Sequence, residues 1–188
     1  MGGGCPVLFV LGPSGSGKST LGGWIAEDLG FLRLEMDLWG RDGTHVHGLR
    51  KEWDAYWSGA DATSLAAAIA ARAEQDDRSG AVLTFPSALV PRRQHRLAAE
   101  RAAICLLVLY GTGDKCLDAF LRSEADSSRG LDEDYWVRHN ARPYAEFSRP
   151  AFAPYRLDVF ADGGFRARSD LVAEVAGRLG PRVGANAS

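Results

Sequence analysis

Five apolar runs punctuate the chain: Val7 to Leu11, Phe31 to Met36, Ala81 to Phe85, Ile104 to Tyr110 and Tyr155 to Ala161. The first is continuous and stops at a glycine-rich turn, the pattern of a strand buried on both faces of a parallel sheet. Between the runs, apolar residues recur at helical spacing. Leu21, Trp24, Ile25 and Leu29 predict a helix over Lys18 to Leu29, closed by Gly30 as a C-cap. Further helices are predicted over Asp61 to Asp77, Pro91 to Arg101, Gly113 to Arg122, Tyr135 to Phe147 and Asp170 to Leu179. Proline opens the second of these at its first turn. Two segments break the pattern: Leu38 to Ala60 reads as irregular or broken helix, and Ser123 to Asp134 as a polar interruption. Strands alternating with helices define an α/β protein built from βαβ units, with helices on both faces of a parallel sheet.

Length adds that one core is enough. At 188 residues the chain suits a single domain, expected over residues 1–180, with 181–188 as a flexible tail. Apolar residues at 46% and charged residues at 24% are those of a globular protein and argue against disorder. A net charge of -2 provides no global basic field, so nucleic acid is not an expected partner. Cys5, Cys105 and Cys116 are odd in number and lack metal-ligand spacing, which points away from a disulfide framework or zinc site. No run approaches the length needed to span a bilayer, and Met1 to Pro6 lacks the basic region of a signal peptide. The expectation is a cytoplasmic protein without a membrane partner, monomeric or homodimeric. Only Lys18, Lys51 and Lys115 among the 22 basic residues are lysines, which singles out each of them.

One lysine sits in the strongest motif. Gly12-Pro13-Ser14-Gly15-Ser16-Gly17-Lys18-Ser19-Thr20 fits G-x-x-x-x-G-K-[ST] between a predicted strand and a predicted helix. Glycines let the backbone wrap a phosphate with its N–H groups inward, and the helix N-terminus adds partial positive charge. Gly12, Ser14, Gly15, Ser16, Gly17, Lys18, Ser19 and Thr20 are therefore the expected ATP-binding residues. Lys18 would reach the β- and γ-phosphates and the Ser19 hydroxyl would hold Mg²⁺. The alternative, a glycine turn with a chance lysine, leaves the strand-and-helix context unexplained.

Asp37 stands just past the second strand, where ligands collect in open parallel sheets. It could accept a proton from an attacking hydroxyl, orient it, or hold Mg²⁺ with Ser19, or it could simply cap the next segment. His45 and His47, near Arg50, are expected on the acceptor side or in a solvated loop. Trp53, Tyr56 and Trp57 at helical spacing read as core or lid packing rather than a base-stacking platform. Arg122 and Arg129 flank the polar interruption, a lid over about residues 123–134, and Arg138 and Arg142 share one face of the next helix. Phosphoryl transfer needs cations that arrive on closure, and this group of arginines supplies candidates.

The order of P-loop, strand-end aspartate, arginine-bearing lid and Arg142-Pro143-Tyr144-Ala145-Glu146 resembles the small P-loop kinases of the shikimate kinase and gluconate kinase group. Asp37 is similar to the aspartate that binds the acceptor hydroxyl in that group, and also to its counterpart in chloramphenicol phosphotransferase. Arg122-Ser123 and Ser128-Arg129-Gly130-Leu131 resemble the arginine positions of the lid. Arg142-Pro143-Tyr144 resembles the segment after the lid whose arginine holds an anionic acceptor. Ser87-Ala88-Leu89 resembles the Ser-Ala-Leu of gluconate kinases, whereas shikimate kinases have a glycine triplet there. The resemblance implies a five-stranded sheet in the order 2-3-1-4-5 and a phosphotransferase using ATP and Mg²⁺. Its acceptor would be a hydroxyl of a small metabolite or natural product, antibiotics and their precursors included. Lys18, Asp37, Arg122, Arg129 and Arg138 would be catalytic, and Asp37, His45, His47, Arg50, Ser87 and Arg142 would bind the acceptor, in an acceptor region over about residues 37–60. Two other readings remain open at this point: a nucleoside monophosphate kinase, for which Phe85-Pro86 speaks, and a non-catalytic nucleotide-binding switch.

Overall fold

A computed structural model of the chain describes residues 6–36, 48–162 and 164–180. Its centre is a parallel sheet of β1 (Val7–Leu11), β2 (Phe31–Glu35), β3 (Gly80–Thr84), β4 (Cys105–Tyr110) and β5 (Arg156–Asp158) in the order β2-β3-β1-β4-β5. This is the expected order, and the register is regular: Val7 pairs with Ala81, Leu8 with Cys105 and Phe31 with Gly80. Gly80 is required there, because a Cβ would come within 2.4 Å of the Phe31 ring.

Side chains of β1 alternate between two cores. Val7, Phe9 and Leu11 join the core covered by α2 (Arg50–Gly59), α3 (Thr63–Gln75) and α4 (Arg93–Arg101). Leu8 and Val10 join the core covered by α1 (Lys18–Leu29) and α7 (Arg168–Leu179). The helices α5 (Gly113–Ala125) and α6 (Glu133–Phe147) enclose a third cluster of Cys116, Phe120 and Trp136. No helix among the described residues is long and apolar enough to cross a membrane.

Three local expectations are corrected. The segment expected to be irregular contains α2, a regular helix. Trp53 and Tyr56, three apart, meet each other and bury against Phe85 and Phe9 respectively, so packing outweighs weak local propensity. Ala60 ends the helix in the left-handed region at φ 52°. The fifth strand stops at Asp158, because Phe160–Ala161 (β6) turns away to pair antiparallel with Gly164–Phe165 (β7). The polar interruption is shorter than expected, since α5 runs on to Ala125. Glu124, only 5% exposed, lies on its inner face and accepts hydrogen bonds from Ser127 and Arg129. Asp37, His45, His47 and the tail 181–188 lie outside the described residues.

Candidate active site

The loop from Gly12 to Gly17 leaves the carboxyl end of β1 and enters α1, and three of its glycines are forced. Gly12, Gly15 and Gly17 have φ of 144°, 80° and 81°. A Cβ on Gly12 would meet the Leu109 carbonyl at 2.7 Å, and one on Gly15 would lie 1.9 Å from the Cys116 carbonyl. Any side chain at Gly15 would therefore drive the loop off α5. The buried Ser16 hydroxyl donates back to Pro13 O at 2.8 Å, which fixes the turn. Gly17 precedes α1 with no side-chain cap, and the first intrahelical bond runs from Leu21 N to Gly17 O. The amides of the first turn thus have no intrahelical acceptor, the arrangement that binds anions.

Lys18 is buried and donates from Nζ to Gly12 O at 3.0 Å, Pro13 O at 3.0 Å and Ser87 Oγ at 2.9 Å. Ser87 in turn lies 2.9 Å from Ser14 Oγ. The loop lysine and the serine three residues beyond β3 therefore converge on one point at the carboxyl edge of the sheet. Ser19 and Thr20 are exposed on the first turn of α1. Beside the loop, Cys116 is buried, and that burial pushes its thiol up to about 11, so it stays neutral there.

The sequence did not reveal that α6 clasps the loop. Asn140, 1% exposed, accepts from Ser14 N at 2.9 Å, while Trp136 Nε1 donates to Ser14 O at 3.2 Å. Both backbone polar groups of one residue are held by residues four apart on one helix face. Trp136, Asn140, Pro143 and Phe147 form the buried stripe of α6. A lone amide in an otherwise apolar stripe was the available signal. Asn140→Ala would leave the Ser14 amide hydrogen without its acceptor, and we expect about 1–3 kcal/mol lower stability. A lower denaturation midpoint at unchanged slope checks this.

Beyond Ser87 opens a cavity of about 940 Å³ between α4 and α6, lined by Ala88, Trp57, His95, Arg138 and Arg142 among others. Arg138 and Arg142 share it, as their spacing of four predicts. Arg92, Arg93 and Arg96 line its opposite wall; they were visible in the sequence only as a crowded helix start. The other candidates are placed elsewhere. Arg129 is held by the carboxylate of Glu124, and Arg50 pairs with Asp54 at 2.6 Å on the outer side of α2. Arg122 is exposed on α5. No group of three or more His, Cys, Asp or Glu suited to a metal ion occurs among the described residues.

The sheet order and the loop define the P-loop class of nucleotide-binding folds. Among solved structures the chain is similar to a gluconokinase from Sinorhizobium meliloti 1021, with TM-score 0.51 and 19% identity over 93% of this chain and 91% of that one. It is also similar to a shikimate kinase from Acinetobacter baumannii in complex with shikimate, with TM-score 0.50, 16% identity and 90% of each chain covered. A sugar kinase from Janibacter sp. HTCC2649 matches at TM-score 0.50 and 15% identity, over 93% of this chain and 94% of that one. These neighbours are P-loop kinases and fit the shikimate and gluconate kinase group that the motif order resembles. No protein-family model and no curated protein matches the chain.

Proposed function

We propose that the protein is an ATP- and Mg²⁺-dependent phosphotransferase acting on a hydroxyl of a small molecule. The observation that carries this reading is the meeting of Lys18 with Ser87 at 2.9 Å, where the phosphate loop and the arginine-lined cavity adjoin. A donor suited to phosphate thus stands at the entrance to a space suited to an acceptor.

The loop amides and Lys18 fit a triphosphate, because the positive-φ glycines leave a cradle that any Cβ would close. Ser19, exposed on the first turn of α1, is the hydroxyl that would hold Mg²⁺, with Asp37 as its partner carboxylate. The ion would neutralise charge on the phosphates, and this fold class requires few protein ligands for it. Asp37 would accept the proton of the acceptor hydroxyl as its oxygen bonds to the γ-phosphorus. The bond from that phosphorus to the β–γ bridging oxygen breaks, and ADP leaves with the electron pair. Lys18 and the cavity arginine Arg138 would balance the charge that this transfer spreads over the phosphoryl oxygens, with Arg142 on the acceptor.

The reading is tested by ADP release measured against sugars, polyols, hydroxy acids, nucleosides and their phosphorylated forms. We expect at least one acceptor to raise ADP release well above the rate with water alone. Nucleotide binding with no acceptor-dependent turnover would identify a switch module instead.

A further inference from the structure

The cavity between α4 and α6 holds more positive charge than a single carboxylate on an acceptor can use. Arg92, Arg93 and Arg96 line one side, and Arg138, Arg142 and Arg149 the other. Among the described residues the only acidic one on its wall, Glu146, is already paired with Arg149 at 2.9 Å. Arg96 is fixed by donating to Pro91 O at 2.9 Å and by lying 4.5 Å over the Phe152 ring. The guanidinium groups of Arg92, Arg93, Arg138 and Arg142 form no ion pair among the described residues. Such a field on a chain of net charge -2 is local and concentrates anions at this one place.

The wall that carries the α4 arginines is itself held in place. His95 is 3% exposed, and its Nδ1 accepts from Arg92 N at 3.2 Å, which puts the ring proton on Nε2. That Nε2 completes no hydrogen bond, although the Trp57 carbonyl lies near enough to favour its proton. The Trp57 ring stacks on the imidazole at 4.5 Å and holds it in place. The imidazole thus packs behind the cavity wall and ties the start of α4, which carries Arg92, Arg93 and Arg96, to Trp57 of α2.

Oxygen count separates the candidate anions. A carboxylate offers two oxygens and one charge, which a single bidentate arginine satisfies. A phosphate monoester carries close to two charges at neutral pH and three terminal oxygens, enough for guanidinium groups from two walls at once. Resting on the phosphotransferase reading above, we propose that the acceptor is a small molecule that already carries a phosphate monoester. This phosphate is the recognition handle, gripped between the arginines of α4 and those of α6, while a separate hydroxyl receives the new phosphoryl group.

Two measurements test this. In the first, ADP release is compared for matched acceptor pairs, each a sugar, polyol or hydroxy acid with and without a phosphate ester. The phosphorylated member should show kcat/KM about 100-fold higher, and Arg93→Gln with Arg142→Gln should raise its KM about 10- to 100-fold, the loss of one or two charge-assisted bonds. Equal turnover of the unphosphorylated members overturns the proposal. So does turnover restricted to nucleoside monophosphates with a diphosphate product, since the phosphate would then be the nucleophile. In the second, inorganic phosphate is titrated calorimetrically into the wild type, into Lys18→Met and into the double arginine variant. Binding that survives Lys18→Met and disappears with the arginines supports the cavity as a phosphate site. Binding lost with Lys18 and kept without the arginines overturns it. If no acceptor is turned over, the phosphotransferase reading fails while the titration still decides what the cavity binds. Arg93 and Arg142 are exposed whereas Lys18 is buried, and a thermal melt of each variant confirms that it folds.

Discussion

Replacing Lys18 with methionine is expected to leave the domain folded and to cut phosphoryl transfer by about 10²- to 10³-fold, the loss typical of one preorganised charge donor. The ammonium uses its three donors on Gly12 O, Pro13 O and Ser87 Oγ, all at 2.9 to 3.0 Å. It is thus held at the mouth of the loop, where bound phosphate oxygens would compete for the same protons. Methionine keeps the length and the burial but offers no proton, so both the affinity for ATP and the turnover should fall. Lys18→Arg should rescue little: a planar fork is wider than the ammonium and cannot donate to three convergent oxygens from one nitrogen. Stability should drop by about 1–3 kcal/mol, since two carbonyls and a serine lose their donor. A melt of each variant beside its kcat and KM separates that effect from the catalytic one. Turnover within a factor of a few of the wild type would overturn the role given to this lysine.

What could be read from the sequence was what is local in the chain. Strand, phosphate loop and helix from Val7 to Leu29 are contiguous, and the need for glycine at positive φ is written at Gly12, Gly15 and Gly17 themselves. The alternation of apolar runs and helical segments gave the parallel sheet, while its strand order came from the resemblance to the shikimate and gluconate kinase group. Tertiary partners were not legible. Helix α2 exists because Trp53 and Tyr56 bury against Phe9 and Phe85, residues far away in sequence, and its own polar composition hides this. The edge strand β5 was overestimated because Phe160 is apolar for another reason: it stacks on Phe165 at 4.6 Å within the small hairpin. The cavity is assembled from α4 and α6, about thirty residues apart in the chain, so Arg92, Arg93 and Arg96 read only as a crowded helix start until the fold set them opposite Arg138 and Arg142. The hold of Trp136 and Asn140 on Ser14 has the same origin.

Asp37→Asn should lower turnover by about 10²- to 10⁴-fold, the range for losing a general base, while nucleotide affinity stays close to wild type. Glu35 pairs with Thr84 at the end of β2, so the chain leaves the sheet after β2 and after β3 at the same level. Ser87, three residues past Thr84, reaches Lys18 from there. Met36, the residue after Glu35, leaves the same edge of the sheet, the side on which ligands collect in this fold class. Asparagine preserves size and one acceptor oxygen but cannot take the proton of an attacking hydroxyl. The deficit should therefore appear in kcat at saturating ATP and acceptor, with little change in ATP binding measured directly. Lys18→Met should differ by weakening both, and this contrast separates a base from a phosphate ligand. Full turnover in Asp37→Asn would remove the aspartate from the chemistry and favour a nucleotide switch, which has no hydroxyl to deprotonate.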